Sequence, residues 1–128
     1  MFENEIAKII VNAAYKIHRQ LGPGLLESSY EACLIYELSN SGLTVASQVG
    51  LPLIYDTVHL NCGYRIDLLV EDMVIVEIKA VNELQNIHQA QLITYLKLSG
   101  CKLGLLINFN VPQIKSGIKR LINGYLEA

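Results

Sequence analysis

Cysteine is scarce in this chain. Cys33, Cys62 and Cys101 are odd in number, far apart and never spaced Cys-x-x-Cys. That argues against a disulfide framework or a zinc ribbon and leaves all three to be read as small buried hydrophobes. Long apolar runs are missing too. Leu103 to Phe109 is the longest candidate, far short of the ~20 residues a membrane span needs, and reads as a buried strand. The opening MFENEIAKII has acids where a secretory leader would carry basic residues, so a cytoplasmic protein is expected. Basic residues are not in excess: Lys and Arg total 10 against 12 acids, for a net charge of −2. A chain of that balance does not present the broad basic footprint of a nucleic-acid binder. Such binding would need a local basic face, or metal ions bridging acids to phosphates. There is no internal repeat and no low-complexity tract.

What is present is core material. Of 128 residues 52% are hydrophobic and 17% charged, which predicts one domain over residues 1–128 with one packed core. Ile6, Ile9, Ile10, Ala13, Ala14, Ile17 and Leu21 form the i, i+3, i+4 stripe of a helix over residues 3–21, ended by Gly22-Pro23-Gly24. A second helix is expected from about Leu25 to Asn40, with Leu26, Tyr30, Cys33, Leu34 and Leu38 inward and Ser41-Gly42 as its stop. Leu43 to Tyr55 alternates with period two, as a strand does, although Gly50 and Pro52 point to a bulge or an edge. Strands at Tyr64–Val70 and Val74–Lys79, a helix over 83–99 and a fully buried strand over 102–109 follow. Ile114, Ile118, Leu121, Ile122 and Tyr125 outline a final helix. The order α-α-β-β-β-α-β-α predicts an α/β sandwich around a mixed sheet.

One stretch departs from the apolar pattern around it. In RIDLLVEDMVIVEIKA, residues 65–80, Asp67, Glu77 and Lys79 sit inside apolar runs. A lone carboxylate buried in a strand costs several kcal/mol or changes its pKa. A divalent cation would make the arrangement favourable, because hard cations take carboxylate oxygens. Opposed residues of an antiparallel pair share a face. A two-residue turn would put Asp67 opposite Val76, whereas a three-residue turn, Glu71-Asp72-Met73, puts it opposite Glu77. A shared site therefore predicts the odd-length turn, with Asp72 at its left-handed position. The plain alternative is a surface Glu77–Lys79 pair with Asp67 matched to Arg65.

Asp67 followed by Glu77-Ile78-Lys79 resembles the D…(D/E)-x-K signature of the PD-(D/E)XK nuclease superfamily, with Ile66 where that name has Pro. GLLESSY, residues 24–30, is similar to G-x-x-E-x-x-Y, and QLITY, residues 91–95, is similar to the Q-x-x-x-Y motif of the RecB-like branch. Together they resemble the GxxExxY family over nearly the whole chain. The resemblance implies a restriction-endonuclease-like α-β-β-β-α-β core over about residues 25–110, with additional N- and C-terminal helices. It also implies Mg²⁺ or Mn²⁺ held by Asp67, Glu77 and the Ile78 carbonyl, with Glu27 as an outer ligand through water. Lys79 would orient or deprotonate the attacking water. Gln91 is implied at the reaction centre, and Tyr95, His88 and Tyr30 join it in contacting substrate. The substrate would be nucleic acid, DNA ahead of RNA.

Each residue also has a plainer role. Glu27 suits the N-terminus of a helix and His18-Arg19 the C-terminus of another, His18 being an outside candidate for metal. Gln91 and Tyr95, with His88 one turn earlier, share a helix face that a core boundary would also produce. His59 is assigned nothing. Lys115, Lys119 and Arg120 would line either a solvated face or a phosphate track. Three readings stay open: an active nuclease, a nucleic-acid-binding or regulatory module of the same fold, and a homo-oligomer, a homodimer in the simplest case, with a vestigial site.

Overall fold

The structure is a computed structural model that describes residues 1–126. The first helix, α1, runs Glu3–Leu21, and α2 runs Glu27–Asn40. Strand β1 is Val45–Gly50, β2 Leu53–Tyr55, β3 Val58–Leu60, β4 Arg65–Val70 and β5 Val74–Lys79. Helix α3 is Asn86–Ser99 and β6 is Leu103–Asn108. A single 3-10 turn, Ile114–Gly117, leads into β7, Ile118–Ile122.

Five strands form one sheet in the order β1-β4-β5-β6-β7, with β5 and β6 parallel and the other neighbours antiparallel. Helices cover both faces, which explains why β5 and β6 read as nearly unbroken apolar runs. Ile6, Ile10 and Ile17 of α1 and Leu34 and Leu38 of α2 pack with Leu68, Val70, Val74, Val76, Leu103 and Leu105. On the opposite face Leu92, Tyr95 and Leu96 of α3 pack on Ile66, Ile75 and Leu106. Every residue of β6 is buried. This is the mixed α/β sandwich expected from the sequence.

Four details depart from expectation. Among the described residues the C-terminal helix is absent: its apolar positions from Ile114 to Ile122 belong to the 3-10 turn and to edge strand β7, whose Ile118 and Ile122 pair with Ile107 and Leu103 of β6, and Tyr125 lies beyond both. Gly117 lets the chain turn there, since a Cβ at that position would meet the Asn108 carbonyl oxygen at 2.2 Å. The strand expected over 43–55 is broken at Leu51-Pro52, because proline has no N–H for the ladder. Leu51 instead donates to the Tyr64 carbonyl at 2.9 Å. Between those two residues β2 and β3 form a separate hairpin that was not expected, and His59 lies on its exposed second strand. Cys62 is exposed and Cys33 and Cys101 are half-buried, so the cysteines are not core residues. Among the described residues no helix is long and apolar enough to cross a membrane.

Candidate active site

The turn between β4 and β5 has three residues, since Val70 pairs with Val74, Leu69 with Ile75 and Leu68 with Val76. Extending that register sets Asp67 opposite Glu77. Two turn residues, Glu71 and Asp72, are left-handed, at φ 54° and 56°, where one was expected. Glu71 is held there by Thr44, whose carbonyl accepts its N–H at 2.8 Å and whose N–H donates to its carboxylate.

The backbone ladder stops at Leu68 and Val76, and the strands part beyond them. Carboxylates take over the pairing. The Asp67 N–H donates to Glu77 Oε2 at 2.8 Å, and the Ile78 N–H donates to Asp67 Oδ2 at 2.9 Å. The two acids are thus interlocked in the gap between strands. The pairing here departs from a regular backbone ladder. The cause lies on β4 and β1. Residues two apart normally share a face, yet Leu68 packs with α1 and α2 while Ile66 packs with α3. Val45 and Val49 of β1 divide in the same way. The rotation is centred on Asp67 and on Gln48 opposite it, a residue with φ 52°.

Burial decides the electrostatics. Glu77 is 5% exposed, and its pKa is pushed up to about 8, first by loss of water and then by the charge of Asp67. The Asp67 N–H and the Lys79 charge pull it back, but less strongly. At neutral pH Glu77 of the metal-free protein therefore holds a proton. The Lys79 ammonium is half-buried and makes no ion pair: among the described residues the one salt bridge is Lys16–Glu37. Arg65 does not pair with Asp67 either, and its guanidinium donates to the Gln48 carbonyl at 3.5 Å. The surface-pair alternative is therefore absent.

Helix α2 closes one side. Glu27 in its first turn accepts the Ala80 N–H at 3.2 Å, which draws it to the residue after Lys79. Glu31, one turn later, accepts from Gln48 Nε2 at 2.9 Å, and the same nitrogen lies 3.4 Å from Asp67 Oδ1. Asn108, buried and opposite Lys79, clamps the chain beyond β5 through both the N–H and the carbonyl of Val81. None of Glu31, Gln48 and Asn108 was singled out from sequence. Only Glu31 carried a signal, standing one helical turn from Glu27.

From the other layer α3 supplies Tyr95, 4% exposed. Its hydroxyl pKa is raised, first by burial and then by the nearby charges of Glu77 and Asp67. Gln91 neighbours it. Both line a largely apolar groove of about 470 Å³ together with His88, Tyr64, Ile87 and Leu53. His88 accepts the Gln85 N–H on Nδ1 at 3.0 Å and so caps α3.

Two expectations fail on burial. Tyr30 is fully buried and stacks on Phe109 with ring centroids 4.3 Å apart. Its hydroxyl donates to the Gly22 carbonyl at 2.6 Å and accepts the Leu25 N–H at 3.2 Å. It ties down the loop before α2 and has nothing left for substrate. His18 is buried, with Nε2 2.8 Å from the Val111 carbonyl, and that bond makes Nε2 the protonated nitrogen. It fastens α1 to the segment before the 3-10 turn and is not a metal ligand at this site.

The donor set fits a magnesium-like ion better than zinc. Among the described residues no three His, Cys, Asp or Glu side chains gather tightly enough to enclose a metal. Mg²⁺ commonly keeps several waters and is held by one or two carboxylates plus substrate phosphate, whereas a structural zinc needs a closed set of four ligands. Buried Glu77 cannot readily ionise beside the charge of half-buried Asp67, and such a cation would relieve that penalty.

The family model of the PD-(D/E)XK nuclease superfamily matches residues 4–121. No curated protein and no solved structure matches the chain.

Proposed function

Because the chain belongs to the PD-(D/E)XK nuclease superfamily, we propose that the gap between β4 and β5 is a nuclease centre that hydrolyses phosphodiester bonds with Mg²⁺ or Mn²⁺. The observation that supports this most is the interlocked Asp67–Glu77 pair with the unpaired Lys79 beside it. Asp67, Glu77 and the Ile78 carbonyl would hold the cation, with Glu27 contributing through water. Bound there, the ion would neutralise phosphate charge and acidify a water.

The chain's own residues do the rest. Lys79 is two residues from Glu77 on one strand, orients the attacking water and stabilises the negative charge that builds on the phosphoryl oxygens. Gln91 and Tyr95 position Lys79 and the phosphate from α3, and His88 lies along the path of the strand. We assign the chain further to the GxxExxY family and the RecB-like branch, on Glu27 and on Gln91–Tyr95, and place it in the cytoplasm acting on DNA ahead of RNA. The competing reading, a binding or regulatory module without turnover, draws on the acidic net charge and on the proton that Glu77 holds in the metal-free protein.

Lys79→Ala separates the two. Lysine is not a ligand for a hard cation, so Mn²⁺ affinity measured by calorimetry should stay near wild type. Cleavage of single- and double-stranded oligonucleotides should fall by roughly 10²-fold, the usual scale for losing a positioned proton-transfer or electrostatic group. Equal cleavage by wild type and Lys79→Ala removes Lys79 from the reaction. No cleavage by wild type with either metal leaves the binding-module reading.

A further inference from the structure

We propose that Gln48 is a positioning residue that sets Asp67 and Glu31 for the divalent cation. The inference rests on reading the β4–β5 gap as a cation site, and it adds a residue that no part of the D…(D/E)-x-K pattern includes.

Gln48 is exposed and has φ 52°. The left-handed conformation is unfavourable for a residue with a Cβ, and glutamine has no special tolerance of it. An exposed side chain recovers little of that by burial. What it does make is a bridge: one amide nitrogen donates to Glu31 Oε1 at 2.9 Å and faces Asp67 Oδ1 at 3.4 Å. The donor lies between an acid of α2 and an acid of β4. Because it is neutral, it holds both carboxylates without cancelling the negative charge a cation needs, as lysine or arginine would. Asp67 is then gripped from two sides, Oδ1 toward Gln48 and Oδ2 by the Ile78 N–H. Each oxygen keeps a further lone pair for a metal. The strain is also placed where β1 and β4 rotate between the two layers, so the conformation that turns Asp67 into the gap delivers the amide to it. Residues outside a metal's immediate ligands commonly change affinity 10–100-fold by orienting those ligands.

The test uses two variants of the full chain, with Mn²⁺ as the probe. Gln48→Gly removes the bridge and relieves the left-handed strain. Its thermal midpoint without metal should equal or exceed wild type, while Mn²⁺ affinity falls about 10-fold or more. Gln48→Asn tolerates the same backbone but is too short to reach both acids, and should follow glycine. Cleavage should fall in parallel in both. Gln48→Gly that binds Mn²⁺ within twofold of wild type overturns the proposal. So does a lower midpoint with unchanged affinity, or loss of the folding transition, either of which makes Gln48 only a tie between β1 and α2. Wild type that binds Mn²⁺ yet cleaves nothing defeats the nuclease reading but leaves the affinity comparison intact. Wild type that binds no Mn²⁺ defeats both.

Discussion

Strands β4 and β5 are built differently at their two ends. At the turn, Val70 and Val74 are fully buried, their backbones pair, and their side chains join the α1–α2 core. Three residues further along each strand, at Asp67 and Glu77, the backbone ladder has ended and carboxylates accept the N–H groups instead. The first end gains from burial of apolar surface. The second gives up that gain and keeps a buried acid, Glu77, at 5% exposure. A fold that can satisfy its ladder with backbone has no stability reason to use acids there. Natural chains break local rules mainly where function requires it, and here the break lies at the Asp67–Glu77 end of the hairpin and at Gln48 of β1 beside it.

Titration should show the largest difference between these ends. The pKa of Glu77 is raised from 4.5 to about 8 on folding, so between those values the native state binds a proton that the unfolded chain has released. Stability without metal is then fully present below pH 4.5 and is lost as pH rises through 8. The cost across that window is at most about 5 kcal/mol. Denaturant midpoints measured from pH 4 to 9 in chelator should fall, and Mn²⁺ should restore the alkaline arm. Glu77→Gln keeps an acceptor for the Asp67 N–H but carries no charge, so its profile should lose this slope, along with Mn²⁺ binding and cleavage. A flat profile in the wild type would show that Glu77 is ionised throughout and that burial does not govern it.

The opposite end should respond as ordinary core. Val74→Ala removes two buried methyl groups and should cost about 2 kcal/mol, read as a lower denaturant midpoint with unchanged slope. Mn²⁺ affinity should not move, because β5 remains pinned to parallel β6 from Leu103 to Asn108. A large drop in affinity would mean that the two ends are mechanically coupled.

The same division governs what could be read in advance. Helix α1 and strand β5 matched their expected limits, because a clean apolar period and a glycine or turn stop left no competing pattern. The carboxylates were conspicuous since they interrupted such runs. The C-terminal segment misled because Ile114, Ile118, Leu121 and Ile122 satisfy a helical period and also fit a tight turn plus an edge strand. Only the open edge of β6 decides between them. Tyr30 matched a motif, but motif spacing does not say whether a ring faces solvent or, as here, Phe109. Gln48 was illegible for a different reason. A left-handed glutamine has no compositional sign, unlike glycine, and its contacts with Glu31 and Asp67 span 17 and 19 residues.

The smallest expected effect is at the turn itself. Asp72 has φ 56° and is exposed, with no stake in the carboxylate pair. Glycine in that conformation avoids the Cβ clash, but it also widens the unfolded ensemble, and the two effects oppose each other. Aspartate already tolerates the left-handed region better than most residues, so the net gain for Asp72→Gly should be only about 0.5 kcal/mol, or ~2 °C in thermal midpoint for a chain of this size. Glu71 is the wrong choice for this test, since its carboxylate and N–H are both engaged by Thr44. If Asp72→Gly raises the midpoint and leaves Mn²⁺ affinity and cleavage at wild-type values, the turn sets register without setting chemistry. If affinity changes while the midpoint does not, the three-residue turn is tuning how far β4 and β5 part at Asp67.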